Sequence, residues 1–185
     1  MPAHDIASVA AAYCRRGWRV IQLHDYTAGA CSCRAGQHCG RSAGKHPIAD
    51  AWQHNYLSTP PEVFAAWAAR PQANVGIVTG PASGIWVLDV DPDHDGHNRL
   101  GELELAFGPL PKTYTVRTGS GGMHFYFALG DVDFDLTNSR GRLPAGLDVR
   151  GRGGFVVAPP SVSGRGPYLV MSDPDELARM TGGER

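Results

Sequence analysis

Two aspartates spaced by one residue close an apolar run in Gly84-Ile85-Trp86-Val87-Leu88-Asp89-Val90-Asp91-Pro92. Side chains alternate along a strand, so Asp89 and Asp91 emerge on one face, about 6.6 Å apart at ~3.3 Å per residue. Like charges that close repel, and a divalent cation removes the repulsion. Mg²⁺ or Mn²⁺ held by a few carboxylates and substrate phosphates is the usual apparatus of phosphoryl transfer. Asp-Pro steps also open solvated turns, and paired aspartates serve other chemistries, so the pair taken alone leaves the choice open. An overlapping set, Asp91, Asp93, Asp95, Gly96 and Glu102, has the spacing of an EF-hand calcium loop. The preceding run is β-branched and aromatic where an EF-hand requires a helix, and Pro92 stiffens the loop; calcium stands as the alternative.

Downstream, residues 115–127 read as a strand, a Ser/Gly turn and a second strand. In the turn, Gly121 and Gly122 let backbone N–H groups approach an anion, while Ser120 and His124 can each donate a hydrogen bond to phosphate. An ordinary hairpin would use the same residues. A third acid, Asp148, sits between Leu147 and Val149, where burial without a partner is costly. Arg150, two residues on, shares its face. A structural Asp148–Arg150 bridge satisfies this pattern, and so does a third metal carboxylate beside a triphosphate-binding arginine.

Cys31-x-Cys33-x5-Cys39-x6-His46 falls within residues 27–47, a stretch of Gly, Cys, Arg and Ser with almost no large apolar side chain. Such a segment cannot pack a core of its own, and three thiolates with one imidazole suit a closed structural zinc site. His38 competes for the fourth position. Cys14 stands apart as a buried, inert thiol.

The elements that must position these groups follow from periodicity. A helix over 6–16 ends at Gly17 and leads into a strand over 18–23. Ser58 or Thr59 caps a second helix, with Pro60 and Pro61 in its first turn, a body over 62–70, and Val63, Phe64 and Trp67 as its apolar face. Short β-rich runs follow at 75–79, 85–90, 113–117, 123–128, 147–149 and 155–157, with a helix over 98–107 and a terminal helix near 175–180. Helices and strands thus mix in an α/β (α+β) chain.

The chain has 185 residues, is 42% hydrophobic and carries a net charge of −1. It is long enough for one domain with its own core. The near-zero charge excludes a broad electropositive surface gripping duplex, but Arg140, Arg142, Arg150, Arg152 and Arg165 cluster locally and leave room for a small basic groove. No 18-residue apolar run occurs and Asp5 interrupts any basic leader, so a cytoplasmic, non-membrane protein is expected. In that reducing compartment clustered cysteines are metal ligands rather than disulfides.

Taken in order, these segments resemble the bifunctional primase-polymerase domains of the archaeo-eukaryotic primase superfamily, found in phage and plasmid replication proteins and often joined to a helicase. Asp89 and Asp91 match the family's first motif, Ser120 and His124 its second, and Asp148 its third acid. Flanking matches are Asn74-Val75-Gly76-Ile77-Val78-Thr79-Gly80 and Ala158-Pro159-Pro160-Ser161, so the resemblance runs from about residue 6 to 170.

The resemblance implies a two-lobed fold over residues 1–185, one lobe similar to an RNA-recognition-motif sheet, with a zinc-stabilised insert near 27–47. It implies a primase-polymerase on single-stranded DNA template and primer, using dNTPs or rNTPs, with Asp89, Asp91 and Asp148 holding two Mg²⁺ or Mn²⁺ ions. Ser120, Gly121, Gly122 and His124 would grip the phosphates, and Arg150 and Arg117 would neutralise the leaving pyrophosphate. Gly44-Lys45-His46-Pro47 resembles the end of the family's insert and favours His46 as the fourth zinc ligand. A helicase, as a following domain or a separate subunit, is the expected partner. The competing classes are a metal-dependent nuclease with the same acids and a non-catalytic zinc- or calcium-stabilised nucleic-acid-binding module.

Overall fold

The computed structural model describes residues 5–130, 136–138, 143–173 and 175–179. The chain runs α1 (Ile6–Arg15), β1 (Val20–Leu23), β2 (Tyr26–Thr27), β3 (Ala30–Cys31), α2 (Pro60–Ala69), β4 (Asn74–Val78), β5 (Ile85–Val90), α3 (Gly96–Phe107), β6 (Thr115–Arg117), β7 (Met123–Ala128), β8 (Leu147–Arg150), β9 (Phe155–Ala158), β10 (Val162–Ser163), β11 (Gly166–Pro167), β12 (Leu169–Val170) and β13 (Ala178–Arg179). Short 3-10 turns occupy Gly36–Ser42 and Pro92–His94.

Local chemistry sets the helix ends. Asp5 caps α1 by accepting from the Ala7 amide. The Glu62 carboxylate accepts from the Ser58 and Thr59 amides, at 2.8 and 3.0 Å, and so closes a capping box before the two prolines of α2. Val63 and Trp67, one turn apart, bury against the core, whereas Phe64 lies 44% exposed, because the buried stripe is narrower than the three apolar residues suggest.

Two sheets carry the fold. β1, β4 and β9 form an antiparallel three-stranded sheet, while β12, β6, β7, β5 and β8 follow in that order in the larger one. β13 extends the larger sheet parallel to β7, pairing Ala178 with Phe127 and Arg179 with Ala128. The terminal segment therefore corrects the helix expected near 175–180: β7 outruns β6 and offers an unpaired edge, and strand pairing there overrides a weak helical preference. Met180 and the residues after it, like Arg140 and Arg142, lie outside the described residues.

The larger sheet is two-faced. Leu88, Val90, Phe127 and Leu147 point to one side and bury against Leu100 and Leu103 of α3. Ile85, Val87 and Tyr126 point to the other and share a core with α1, α2 and the smaller sheet. Trp18 is the joint of that core, lying 5.7 Å from both Tyr13 and Tyr126 in stacked geometry and 5.8 Å from Tyr114. Truncation of so central an aromatic leaves a large cavity. Trp18→Ala is expected to cost about 3–5 kcal/mol, measured as a lowered urea midpoint.

Candidate active site and metal centre

Strand register assembles the acids. β5 lies between β7 and β8, and Asp89 faces His124 on one neighbour and Asp148 on the other. All three side chains leave the sheet on the face of Ile85 and Val87, at the end where the shared core opens to solvent. Asp91 continues this face one step past the strand; its amide donates to the Gly146 carbonyl at 2.8 Å, and its carboxylate accepts from the Asp93 amide at 3.0 Å.

Arg150 bridges the acids. Its Nη2 lies 2.8 Å from Asp89 Oδ2 and 3.3 Å from Asp148 Oδ2, and its Nε is 3.1 Å from the same Asp89 oxygen. His124 Nε2 approaches Asp89 Oδ1 at 3.5 Å, and among the described residues its Nδ1 has no hydrogen-bond partner. Burial alone would raise the Asp89 carboxyl, but His124 and Arg150 outweigh it and hold the group well below the usual carboxylate range. Asp89 is therefore ionised throughout neutral pH.

Asp89, Asp91, His124 and Arg150 line a cleft of about 400 Å³. The glycine turn forms one wall: Ser120 Oγ meets Thr118 Oγ1 at 3.0 Å, and His97 Nε2 of α3 donates to the Gly121 carbonyl at 3.1 Å. Gly122 packs so closely on β5 that a Cβ would stand 2.2 Å from the Val90 carbonyl oxygen, so only glycine allows the turn to lie against the acid-bearing strand. Phe155, Val156 and Val157 of the smaller sheet, with Tyr168, supply the apolar lining. Arg41, Lys45 and Arg165 complete the opposite side.

Arg165 grips Asp93 with both terminal nitrogens, and Arg41 stands 3.6 Å from the same carboxylate. The Arg165 hydrogen bonds lower the Asp93 carboxyl to about 2. Burial, reinforced by Arg165, pushes the Lys45 ammonium down, against the pull of Asp89 and Asp91.

Of the residues singled out from sequence, Asp89, Asp91, Ser120, His124 and Arg150 line the cleft, with Asp148 bound to Arg150 at its edge. Arg117 does not join them. It is exposed on β6, opposite Met123 and Leu169, because strand alternation turns it from the face that His124 uses. The calcium alternative fails on geometry. Asp93 is held by Arg165, Asp95 accepts from Asn98, and Glu102 sits inside α3 paired with Arg99 at 2.9 Å. Tyr168 was not legible as a cleft residue, since nothing local signals a segment that returns to the cleft from 79 residues beyond Asp89.

The second centre is the insert. Sulfurs of Cys31, Cys33 and Cys39 and a nitrogen of His46 lie within 4.8 Å of one another, the one such gathering of three or more His, Cys, Asp or Glu ligand atoms among the described residues. His46 Nε2 is 3.5 Å from the sulfurs of Cys31 and Cys39. Tetrahedral Zn²⁺ with bonds of ~2.3 Å to sulfur and ~2.0 Å to nitrogen places S and N about 3.5 Å apart, which matches. Burial raises the Cys33 thiol, but the Ala35 amide and the neighbouring ligands lower it to about 6. Burial and the other two cysteines push Cys39 up to about 12. Three thiolates so close repel, and a divalent cation lets all three ionise. His38 is exposed on the 3-10 turn, outside the gathering. Cys14, by contrast, is buried away from this centre, and burial raises its thiol. One zinc per chain is expected by metal analysis. It should be lost in Cys39→Ser and His46→Ala, retained in His38→Ala, and bound less tightly as pH falls and protons compete for the thiolates.

No helix among the described residues is long and apolar enough to cross a membrane. No curated protein sequence matches the chain. The family model of the bifunctional DNA primase/polymerase N-terminal domain matches residues 10–181, nearly the whole chain. With its acid-bearing strand, glycine-histidine hairpin and Cys3His insert inside that span, the chain belongs to the bifunctional DNA primase/polymerase (Prim-Pol) family.

Proposed function

We propose that the chain is the catalytic domain of a DNA-directed nucleotidyltransferase that makes primers or extends them. The observation that carries this is the placement of Asp89, His124 and Asp148 side by side on three neighbouring strands, with Asp89 and His124 lining one cleft beside Asp91, Ser120 and a set of cations and Asp148 at its edge. Family membership points to the same primase/polymerase chemistry on DNA and nucleotides.

Asp89, Asp91 and Asp148 are the ligands for Mg²⁺ or Mn²⁺. Their chemistry fits: hard oxygen donors on one face, with Asp89 held as an anion by His124 and Arg150 and Asp148 paired with the same Arg150. Bound there, divalent ions supply Lewis acidity toward the primer 3′-hydroxyl and the triphosphate. Arg150 holds the two carboxylates together without metal and is long enough to turn to the triphosphate when one arrives. Ser120, the turn at Gly121 and Gly122, and His124 bind phosphate oxygens.

In this proposal the larger sheet with α3 is the lobe similar to an RNA-recognition motif, and the smaller sheet with α1 and α2 is the other. The setting is phage or plasmid replication, with a helicase beyond this domain. One observation favours a second function. Arg150 bridges Asp89 and Asp148 without a metal, as a zinc-stabilised nucleic-acid-binding module without catalysis would require.

Purified protein given single-stranded template, dNTPs, ATP and Mn²⁺, with and without primer, decides between them. Wild type is expected to yield product ladders that fall about 100-fold or more in Asp89→Asn and Asp148→Asn, with the fold and zinc intact. DNA binding without product in any form would support the module, and strand cleavage would support a nuclease.

A further inference from the structure

Lys45 is held from both sides. Before it, Gly44 donates its amide to Cys31 Sγ at 3.5 Å, and its carbonyl accepts from the buried Asn74 side chain at 2.8 Å. Gly44 has φ +75, and a Cβ there would meet the Val162 carbonyl oxygen at 2.8 Å, so the insert sits hard against the body of the protein. After it, His46 belongs to the zinc cluster, and its carbonyl accepts from the His24 amide at 2.9 Å. The Lys45 amide itself donates to the Ser42 carbonyl at 2.9 Å.

The side chain is half-buried and enters the cleft that holds Asp89, Asp91, Ser120 and His124. Arg41 and Arg165 line the same cleft and both engage Asp93. Lys45 has no hydrogen bond or ion pair to its ammonium among the described residues. An ammonium removed from water beside two guanidiniums and without a bonded anion is costly, and an anionic ligand in the cleft removes that cost. A cavity of about 400 Å³ suits a small molecule, whereas a strand backbone follows an open groove.

We propose that Lys45 binds the phosphates of the incoming nucleoside triphosphate, which makes the zinc insert a working wall of the nucleotide site rather than a remote brace. The assignment rests on the nucleotidyltransferase function proposed above. Zinc at Cys31, Cys33, Cys39 and His46 then acts on nucleotide affinity through the backbone of Lys45, a single residue from the metal.

The test is equilibrium binding of a fluorescent nucleoside triphosphate with Mn²⁺ in the absence of DNA, and separately of labelled single-stranded DNA in the absence of nucleotide. Lys45→Gln is expected to weaken triphosphate binding about tenfold, or about 1.4 kcal/mol. Lys45→Arg should retain most of the affinity, with zinc content and DNA affinity unchanged in both. In wild type, triphosphate should protect Lys45 from acetylation, a readout that does not depend on how the variants fold. An unchanged triphosphate affinity in Lys45→Gln, or an unprotected Lys45, overturns the proposal while wild-type nucleotide binding leaves the nucleotidyltransferase function standing. A loss confined to DNA binding places Lys45 on the strand backbone and also overturns it. Wild type that binds no triphosphate overturns both.

Discussion

Everything at the cleft depends on one electrostatic problem: two carboxylates, Asp89 and Asp148, are held opposite each other on adjacent strands by backbone register. The ladder leaves them no room to part, and they lie about one-fifth and one-third exposed, so water screens them only in part. Something cationic must stand over the pair. In the protein alone that is the Arg150 guanidinium, with His124 on the far side of Asp89. A site stabilised by a movable side chain can exchange it for other cations, and this gives the arrangement its catalytic potential.

The rest of the fold makes that exchange possible. α3 seals one face of the larger sheet, which fixes β5 and frees its other face for the acids. Gly122 lets the Ser/Gly turn lie against Val90, within reach of Asp89. From the smaller sheet, Asn74 anchors both the insert and the segment after β9, with hydrogen bonds to Gly44 at 2.8 Å and to Val162 at 2.7 Å. A cluster of metal-ligating side chains with no core of its own is thus tied to the smaller sheet in part through one buried amide, and Arg41 and Lys45 line the cleft with the acids.

What the sequence made legible was local. The run through Asp89 and Asp91, the Ser/Gly turn, the capping of α2 and the Cys3His spacing each carry their own signal, and each appears in the structure where the pattern put it. What it hid was non-local. The resemblance assigned Arg117 to the leaving pyrophosphate, but strand alternation sends it outward. Phe64 fell off the buried stripe by one position. The end of the chain reads as helix by composition and becomes a strand because β7 leaves an edge to fill. Lys45 and Tyr168 reach the cleft only through tertiary folding, which no spacing in the sequence encodes.

In the proposed function, Asp89 and Asp148 trade Arg150 for a divalent cation when nucleotide arrives. Titration of Mn²⁺ followed by electron paramagnetic resonance, with and without a non-incorporable nucleoside triphosphate, tests it most directly. Mn²⁺ should bind more tightly with the triphosphate present, bind tightly without it once Arg150 is replaced by Gln, and be lost in Asp89→Asn and Asp148→Asn. Mn²⁺ affinity that is indifferent to both aspartates and to Arg150 would contradict it.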